Sequence, residues 1–251
     1  MTSPRHPTFA EAPPRAVTFD YWDTLVVSRR SGPREARRAA LEALLVEFGV
    51  GVDAGTLDAA LDAAVAAHND HWHANRQFSA ADGAVVLIDT LGLALDPTDR
   101  DRVAETFVHA PTGLRPELTP GAVELLGSLS DAGIRIGIVC DVGLTPSPVL
   151  RDYLDRHGVL TLFDHWSFSD EVGVYKPDPV IFHHALAGLG GVAPAETVHV
   201  GDLRRTDVAG ARAVGMGTVR YAGLHDDGPD QGPEADLVVR DHLDLIGAFG
   251  V

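Results

Sequence analysis

The sequence from residue 113 onward alternates short apolar segments with segments of helical periodicity, and this alternation restricts the fold more than any other feature. Apolar, β-branched runs such as IRIGIVCD (134–141) and TVHVGD (197–202) alternate with helical runs such as DPVIFHHALAGLG (178–190). Strands that alternate with helices form parallel sheets with helices on both faces. We therefore predict an α/β fold built on a Rossmann-like parallel sheet.

A helical block interrupts this pattern. Residues 15–20 resemble a strand, whereas residues 30–112 show helical spacing throughout, with Ser79 as the cap of one helix and Gly92 near its end. Ligands of open α/β sheets bind at the carboxyl ends of the strands, so an insert after the first strand predicts a lid there. We expect a loose N-terminal tail (1–14), a Rossmann-like core (15–29 and 113–251) and an all-helical cap (30–112).

Composition excludes several classes of protein. The chain has 251 residues and a formal net charge of −16, whereas a nucleic-acid-binding surface needs a basic face. The arginines at 34, 37 and 38 are interpreted as a solvated helix face. No apolar run reaches the ~20 residues of a membrane span. Cys140 is the single cysteine, so no intrachain disulfide can form, and a cytoplasmic location is expected.

Lysine occurs once in the chain, at Lys176, although 20 residues are basic. Arginine presents a planar fork, whereas lysine presents a compact charge on a flexible stem. Lys176 follows a glycine-containing segment and precedes Pro-Asp-Pro. We interpret this position as one that requires an ammonium group.

Polar residues stand at or near the ends of four predicted strands. Because these ends meet at one edge of a parallel sheet, the side chains are expected to share one crevice: Asp20, Cys140, Asp141, Lys176, Asp202 and Asp207. Several carboxylates with one ammonium would be costly to bury without a cation. Oxygen ligands, in a chain without Cys or His pairs at metal-ligand spacing, favour Mg²⁺.

Four motifs, FDYWDTL (19–25), IVCD (138–141), KPDP (176–179) and VGDLRRTD (200–207), resemble those of the haloacid dehalogenase-like hydrolase superfamily in that order. The resemblance extends from about residue 15 to the C-terminus. The position and size of the helical insert are similar to those of the superfamily's helical cap.

The resemblance implies a role for each matched residue. Asp20 would be the nucleophile that forms an aspartyl-phosphate. Mg²⁺ would lie between Asp20, the backbone carbonyl of Trp22 and Asp202, while Asp207 would orient a ligand water or Lys176 at the metal site. Lys176 would neutralise Asp20 and the phosphoryl oxygens.

Two of the motifs depart from the family pattern. Phosphatases of the family usually have Asp, the general acid and base, where this chain has Trp22, and an indole can do neither task. Asp23 stands where Gly is usual. We expect Asp23 to have a role in a turn; the alternative is that it replaces the missing general acid. Cys140 replaces a Ser or Thr that donates to phosphate, and Asp141 replaces Asn and adds a negative charge near the predicted anion site.

Three functions remain open from the sequence. The first is a Mg²⁺-dependent phosphatase or phosphoryl transferase on a small molecule, in which Trp22, Cys140, Asp141 and the cap residues His71 and His73 contact the substrate. The second is a 2-haloacid dehalogenase, whose halide leaves without protonation; those relatives carry Tyr at the Trp22 position but lack an intact GD motif. The third is a binding protein that keeps the fold of the superfamily and has weakened catalytic activity. We expect a phosphorylated small molecule as partner, neither nucleic acid nor membrane, with a homodimer as one option.

Overall fold

The computed structural model describes residues 9, 13–28 and 31–251. Its sheet has six strands that pair in parallel throughout, in the order β3-β2-β1-β4-β5-β6. The strands are β1 (Ala16–Phe19), β2 (Arg135–Cys140), β3 (His165–Phe168), β4 (Thr197–Gly201), β5 (Gly217–Tyr221) and β6 (Leu237–Val239). The predicted α/β fold with a Rossmann-like parallel sheet is confirmed.

Helices occupy most of the remaining described chain. They are α1 (Ser31–Glu47), α2 (Ala54–His73), α3 (Ala80–Leu91), α4 (Pro97–His109), α5 (Ala122–Asp131), α6 (Ser147–Arg156), α7 (Ser169–Val172), α8 (Pro179–Gly188), α9 (Ala209–Ala213) and α10 (Leu243–Phe249). Among the described residues, no helix is both long and apolar enough to span a membrane.

Local signals set most helix boundaries. Ser79 caps α3 through a reciprocal capping box with Asp82, and Gly92 ends that helix in the left-handed conformation, as the sequence predicts. The segment LTPGAVELLGSLSDAG (118–133) predicts a helix with Thr119 as its cap and Pro120 at its first position, and this predicted cap is wrong. Thr119 does not cap α5, because its hydroxyl donates to the Thr24 carbonyl and the helix begins at Ala122 after Gly121.

The chain divides into two compact units. One comprises residues 1–28, 116–141 and 155–251, within the described positions, and contains the sheet; the other comprises residues 29–115 and 142–154. The boundaries drawn from the sequence remain a prediction, and the second unit includes the segment after Asp141, which that prediction gives to the core. Of the predicted N-terminal tail, most residues lie outside the described part of the chain; Phe9 packs edge-to-face on Phe249.

The helical unit has an apolar core of its own. Leu41, Leu61, Leu87 and Phe107 are among its buried residues and come from four different helices. These side chains follow the helical spacing that the sequence shows, so each helix buries one face against the others.

Arg37 corrects the interpretation of the arginine cluster. Its side chain is buried, donates to the carbonyl of Phe107 and the hydroxyl of Thr145, and lies over the Phe107 ring with 4.7 Å between guanidinium carbon and ring centroid. Burial lowers the pKa of Arg37 to about 10. Arg34 and Arg38 pair instead with Asp58. Spacing alone did not reveal which of the three faces the interior.

The order of the strands defines a switch point between β1 and β4. From β1 the chain proceeds through β2 to β3 on one side, and from β4 through β5 to β6 on the other. Loops that follow two such strands diverge and leave a crevice at their carboxyl ends, which is where open α/β sheets bind ligands. Asp20 follows β1 and Asp202 follows β4.

Candidate active site

Three carboxylates meet at this crevice. One carboxylate oxygen from each of Asp20, Asp202 and Asp207 lies within 4.8 Å of the others. Their exposed fractions are 7%, 6% and 1% respectively. The backbone N–H of Asp20 donates to the Val200 carbonyl at 2.8 Å, so the residue after β1 is fixed against β4. The sheet therefore gathers acids that lie up to 187 residues apart in the sequence.

Lys176 lies among these acids. Its Nζ is 2.5 Å from Oδ1 of Asp20 and 2.6 Å from Oδ1 of Asp207, and its side chain is 2% exposed. The ammonium thus bridges two carboxylates. The guanidinium of an arginine is larger and planar, so it would not present the same compact charge to both acids. The structure places the single lysine of the chain where an isolated point charge contacts both acids.

The electrostatics of the cluster depend on burial. Burial and the Asp207 charge raise the pKa of Asp20 to about 7, although Lys176 opposes the change. Burial, Asp20 and Asp207 raise the pKa of Asp202 well above its usual range. The pKa of Asp207 is lowered, because Lys176 and His199 outweigh its burial. The pKa of Lys176 is raised, since the surrounding acids outweigh burial.

Asp207 is held by donors from the protein on both oxygens. Oδ1 accepts from Lys176 and from Nε2 of His199, and Oδ2 accepts from the Leu203 backbone N–H at 2.9 Å and, at 3.4 Å, from the Thr206 hydroxyl. A carboxylate has about four lone-pair positions. Asp207 is therefore suited to orient its neighbours rather than to bind a metal directly.

Gly201 makes this packing of Asp207 possible. A Cβ atom at Gly201 would lie 2.3 Å from Cγ of Asp207 and 2.7 Å from its Oδ1. A glycine directly before Asp202, at the end of the strand, predicts a close approach to the backbone there. The structure shows that the group that approaches Gly201 is the carboxylate of Asp207.

The second motif contributes differently from its family pattern. Cys140 is fully buried, and burial and Asp20 raise the pKa of its thiol, so it remains protonated. The Asp141 carboxylate accepts the backbone N–H of Lys176 at 2.8 Å. This bond links the end of β2 to the loop that carries the ammonium. The structure thus gives Asp141 a contact that positions Lys176.

The loop after Asp20 contains Trp22 and Asp23. The indole is half-buried and packs edge-to-face on Tyr21, with 5.0 Å between ring centroids. Asp23 has φ of 54°, in the left-handed region that Asp tolerates, and its carboxylate accepts the Ser28 backbone N–H at 2.8 Å. The turn role predicted for Asp23 is confirmed.

The cap histidines belong to the helical unit. His71 is half-buried, with its ring 4.9 Å from that of Phe78, and its Nδ1 is a buried atom without a hydrogen-bond partner among the described residues. His73 is exposed and packs on Trp72. His68 packs beside Phe78, and burial lowers its pKa to about 4. Contact of His71 and His73 with substrate remains a prediction.

Sequence reasoning overlooked His199 and Thr18. The sequence signal that could have identified His199 is an ionisable side chain at the centre of the apolar strand TVHVGD. In the sheet, His199 lies opposite Thr18 at the same register of β1. Both residues are buried.

Comparison with known proteins identifies the family. The model of the haloacid dehalogenase-like hydrolases matches residues 14–215. The chain belongs to the haloacid dehalogenase-like hydrolase family. It is 30% identical over 241 residues to a glyceraldehyde 3-phosphate phosphatase of Methanopyrus kandleri, covering 92% of this chain and 97% of that one.

Solved structures of the family share the fold. YfnB, a HAD-hydrolase of Bacillus subtilis bound to magnesium, superposes with a TM-score of 0.66 at 16% identity and covers 95% of this chain and 100% of its own. A 2-haloacid dehalogenase of Pseudomonas syringae superposes with a TM-score of 0.69 at 23% identity and covers 94% and 97%. At these identities the two structures establish the fold, so the chemistry of this family member has to come from its own residues.

Proposed function

We propose that this hydrolase is a Mg²⁺-dependent phosphatase or phosphoryl transferase that acts on a small phosphorylated molecule, with Asp20 as nucleophile. The observation that carries the proposal is the buried cluster of Asp20, Asp202 and Asp207 around Lys176. Similarity to a glyceraldehyde 3-phosphate phosphatase over nearly the whole chain supports the same reaction.

The donor set fits a divalent cation. With all three carboxylates ionised, the acids and the one ammonium would carry a formal charge of −2, and burial makes that charge costly unless a cation balances it. The oxygen-only donors suit Mg²⁺. Asp20 and Asp202 would hold the ion together with the Trp22 carbonyl, while Asp207 supports them through Lys176. When bound, the cation would supply positive charge that lets a phosphate approach the ionised Asp20.

The protein's own residues would perform the transfer. A carboxylate oxygen of Asp20 attacks phosphorus, the bond to the leaving oxygen breaks, and an aspartyl-phosphate forms. Lys176 holds Oδ1 of Asp20 and offers its charge to the phosphoryl oxygens. Attack of water on phosphorus then restores Asp20 and releases phosphate, while an alcohol acceptor in place of water would give phosphoryl transfer.

The leaving group determines how much proton transfer is needed. Trp22 cannot donate a proton, and Asp23 is engaged in a turn. General acid–base catalysis typically contributes roughly 10²–10⁴-fold. The arrangement therefore favours leaving groups of low basicity, such as acyl or anomeric phosphates, or a proton supplied by the helical unit, where His71 and His73 are the candidates.

We further propose that the helical unit is a cap of the helical-cap subgroup. Support comes from the position of its larger segment, residues 29–115, between β1 and β2, from its all-helical composition and from its separate apolar core. We also propose a cytoplasmic location, which the single cysteine of the chain supports.

A 2-haloacid dehalogenase is the second candidate, and Trp22 is the observation that favours it. Halide departs without a proton, so an aromatic side chain at position 22 would cost nothing. The buried carboxylates oppose this candidate, because Asp202 and Asp207 would repel the carboxylate of a 2-haloacid unless a cation were present.

The test is a panel of phosphorylated metabolites and 2-haloacids, each assayed with Mg²⁺ and with a chelator. We expect Mg²⁺-dependent phosphate release that Asp20→Asn abolishes, since the amide keeps the shape and lacks the nucleophilic charge. Asp62→Asn, on the exposed surface of α2, is the matched control. Halide release without Mg²⁺, or more than about one per cent of activity in Asp20→Asn, would refute the proposal.

A further inference from the structure

His199 is an ionisable side chain inside the sheet. It lies in β4 between two buried valines, and its exposed fraction is 1%. The ring of Phe182 packs edge-to-face against it, with 5.3 Å between centroids. A polar group in such surroundings is costly unless each of its polar atoms has a partner.

Both ring nitrogens of His199 have a hydrogen-bond partner. Nδ1 lies 2.9 Å from Oγ1 of Thr18, the residue opposite it on β1, and Nε2 lies 3.1 Å from Oδ1 of Asp207. Asp207 is ionised beside Lys176 and can only accept, so the proton of the ring must be on Nε2. In a neutral ring Nδ1 is then an acceptor, and the Thr18 hydroxyl is its donor.

The surroundings favour the neutral ring. An imidazolium would place a second positive charge at the same oxygen that Lys176 already contacts, in a buried site. It would also change the formal charge of the cluster from −2 to −1 and so weaken its complementarity to a divalent cation. Burial lowers the pKa of His199, in agreement with this assignment.

We propose that His199 is a positioning residue, held by Thr18 as the neutral tautomer with its proton on Nε2, which fixes Asp207 and thereby Lys176 at Asp20 without adding charge. The link from this geometry to turnover rests on the proposed function, whereas the tautomer and its effect on cation binding do not. Partners at this distance from a metal site typically change affinity or activity by roughly 10–100-fold.

The decisive variant is Thr18→Val, which removes the hydroxyl and keeps the shape. Thr197→Val is the matched control, because Thr197 is also a buried strand threonine, yet its hydroxyl donates to the Ala193 carbonyl. The measurements are ¹H–¹⁵N correlation of the histidine rings, with His199 assigned by its loss in His199→Gln, and calorimetric titration with Mg²⁺. Turnover of the best phosphate substrate gives kcat and KM separately.

We expect a single Nε2–H tautomer at pH 7 in the wild type and in Thr197→Val. Thr18→Val should keep this tautomer, because Asp207 still accepts from Nε2, but Nδ1 loses the donor that fixes the ring. The variant should therefore weaken Mg²⁺ binding by about 10-fold and lower kcat more than it raises KM. His199→Gln, which retains an N–H donor, should bind Mg²⁺ more tightly than His199→Phe.

The Nδ1–H tautomer or an imidazolium in the wild type would overturn the proposal, as would a Thr18→Val protein that matches Thr197→Val in Mg²⁺ affinity and kcat. Tautomer and affinity as expected, but without phosphate release from any substrate, would support the role of His199 and refute the proposed phosphatase.

Discussion

Trp22 shows how a single residue can change the chemistry proposed for a loop in which the proposed nucleophile, Asp20, stays in place. Asp20 keeps its contacts with Lys176 and Val200, so the indole has not displaced it. The ring packs on Tyr21 and is half-buried. An indole cannot carry a proton, so the proposed role of Trp22 is to exclude water and contact substrate.

Replacement of Trp22 tests this division of roles. Trp22→Asp should restore a general acid and raise hydrolysis of an alkyl phosphate, by a factor inside the ~10²–10⁴-fold range of acid–base catalysis. Activity on the native substrate should fall because a large apolar contact is lost. Initial rates with an alkyl phosphate and with p-nitrophenyl phosphate, under Mg²⁺, measure both effects.

Trp22→Asn is the control for that experiment. It removes the indole and matches the size of Asp, but it has no proton to transfer. Equal rates for the Asn and Asp variants would mean that the missing proton carrier is not what limits this enzyme, and attention would move to Cys140 and Asp141.

At the scale of elements, β4 and the turn after it supply most of the site. The strand carries His199, ends at Gly201 and leads to Asp202, and a wide π-helical turn at Arg204–Val208 then returns Asp207 against the strand. Such turns are rare and often occur at functional sites. Arg204 holds this turn through the Asp227 carbonyl and the Glu234 carboxylate, in a network that also includes Arg220.

Gly201→Ala should disrupt this element. The added Cβ would overlap the Asp207 carboxylate, so the contacts of Asp207 with Lys176 and His199 would be lost. We expect loss of turnover and a lower melting temperature. Gly127, in helix α5, has open space for an added methyl group. Gly127→Ala should therefore stabilise the folded protein by roughly 0.5–1 kcal/mol. Normal activity in Gly201→Ala would show that the position of Asp207 is not critical.

For the whole molecule, the cluster of Asp20, Asp202 and Asp207 makes the free energy of unfolding depend on pH and on metal binding. Without a cation, the raised pKa values of Asp20 (about 7) and Asp202 mean that the folded protein binds protons more tightly than the unfolded chain. Their contribution is full below the unfolded pKa near 4 and is lost as pH rises towards and through 7. Asp207, whose pKa is lowered, contributes its full stability above the unfolded pKa near 4 and loses it as the pH falls further.

Mg²⁺ should therefore stabilise the protein more at pH 8 than at pH 5.5, because it binds the ionised carboxylates. At 100 times its Kd a ligand adds about 2.7 kcal/mol, on the order of 5–10 °C in melting temperature for a chain of this size. Thermal unfolding with and without Mg²⁺ at the two pH values measures the difference. Asp202→Asn should remove most of it; a Mg²⁺ shift that is equal at both pH values would contradict the expectation.

The sequence determined the order of strands and helices and the residues at the strand ends. Period-2 and period-3.6 patterns, glycine and proline punctuation and Ser79 as a cap are local signals, and the elements they predict are present. The four motifs were readable for the same reason, since three of them lie at a strand end and the fourth, KPDP, begins eight residues after the end of β3. Asp20, Lys176 and Asp202 could therefore be assigned to one crevice from the sequence alone.

Only the tertiary structure decided how those residues are used. Arg37, interpreted from its spacing as solvated, is buried, and Asp141 proved to hold the backbone of Lys176. The pairing of Thr18 with His199 joins strands 181 residues apart. Burial, strand register and hydrogen-bond direction depend on which distant segments of the chain meet. Pairing across the sheet determines which segments meet, so local sequence patterns do not contain this information.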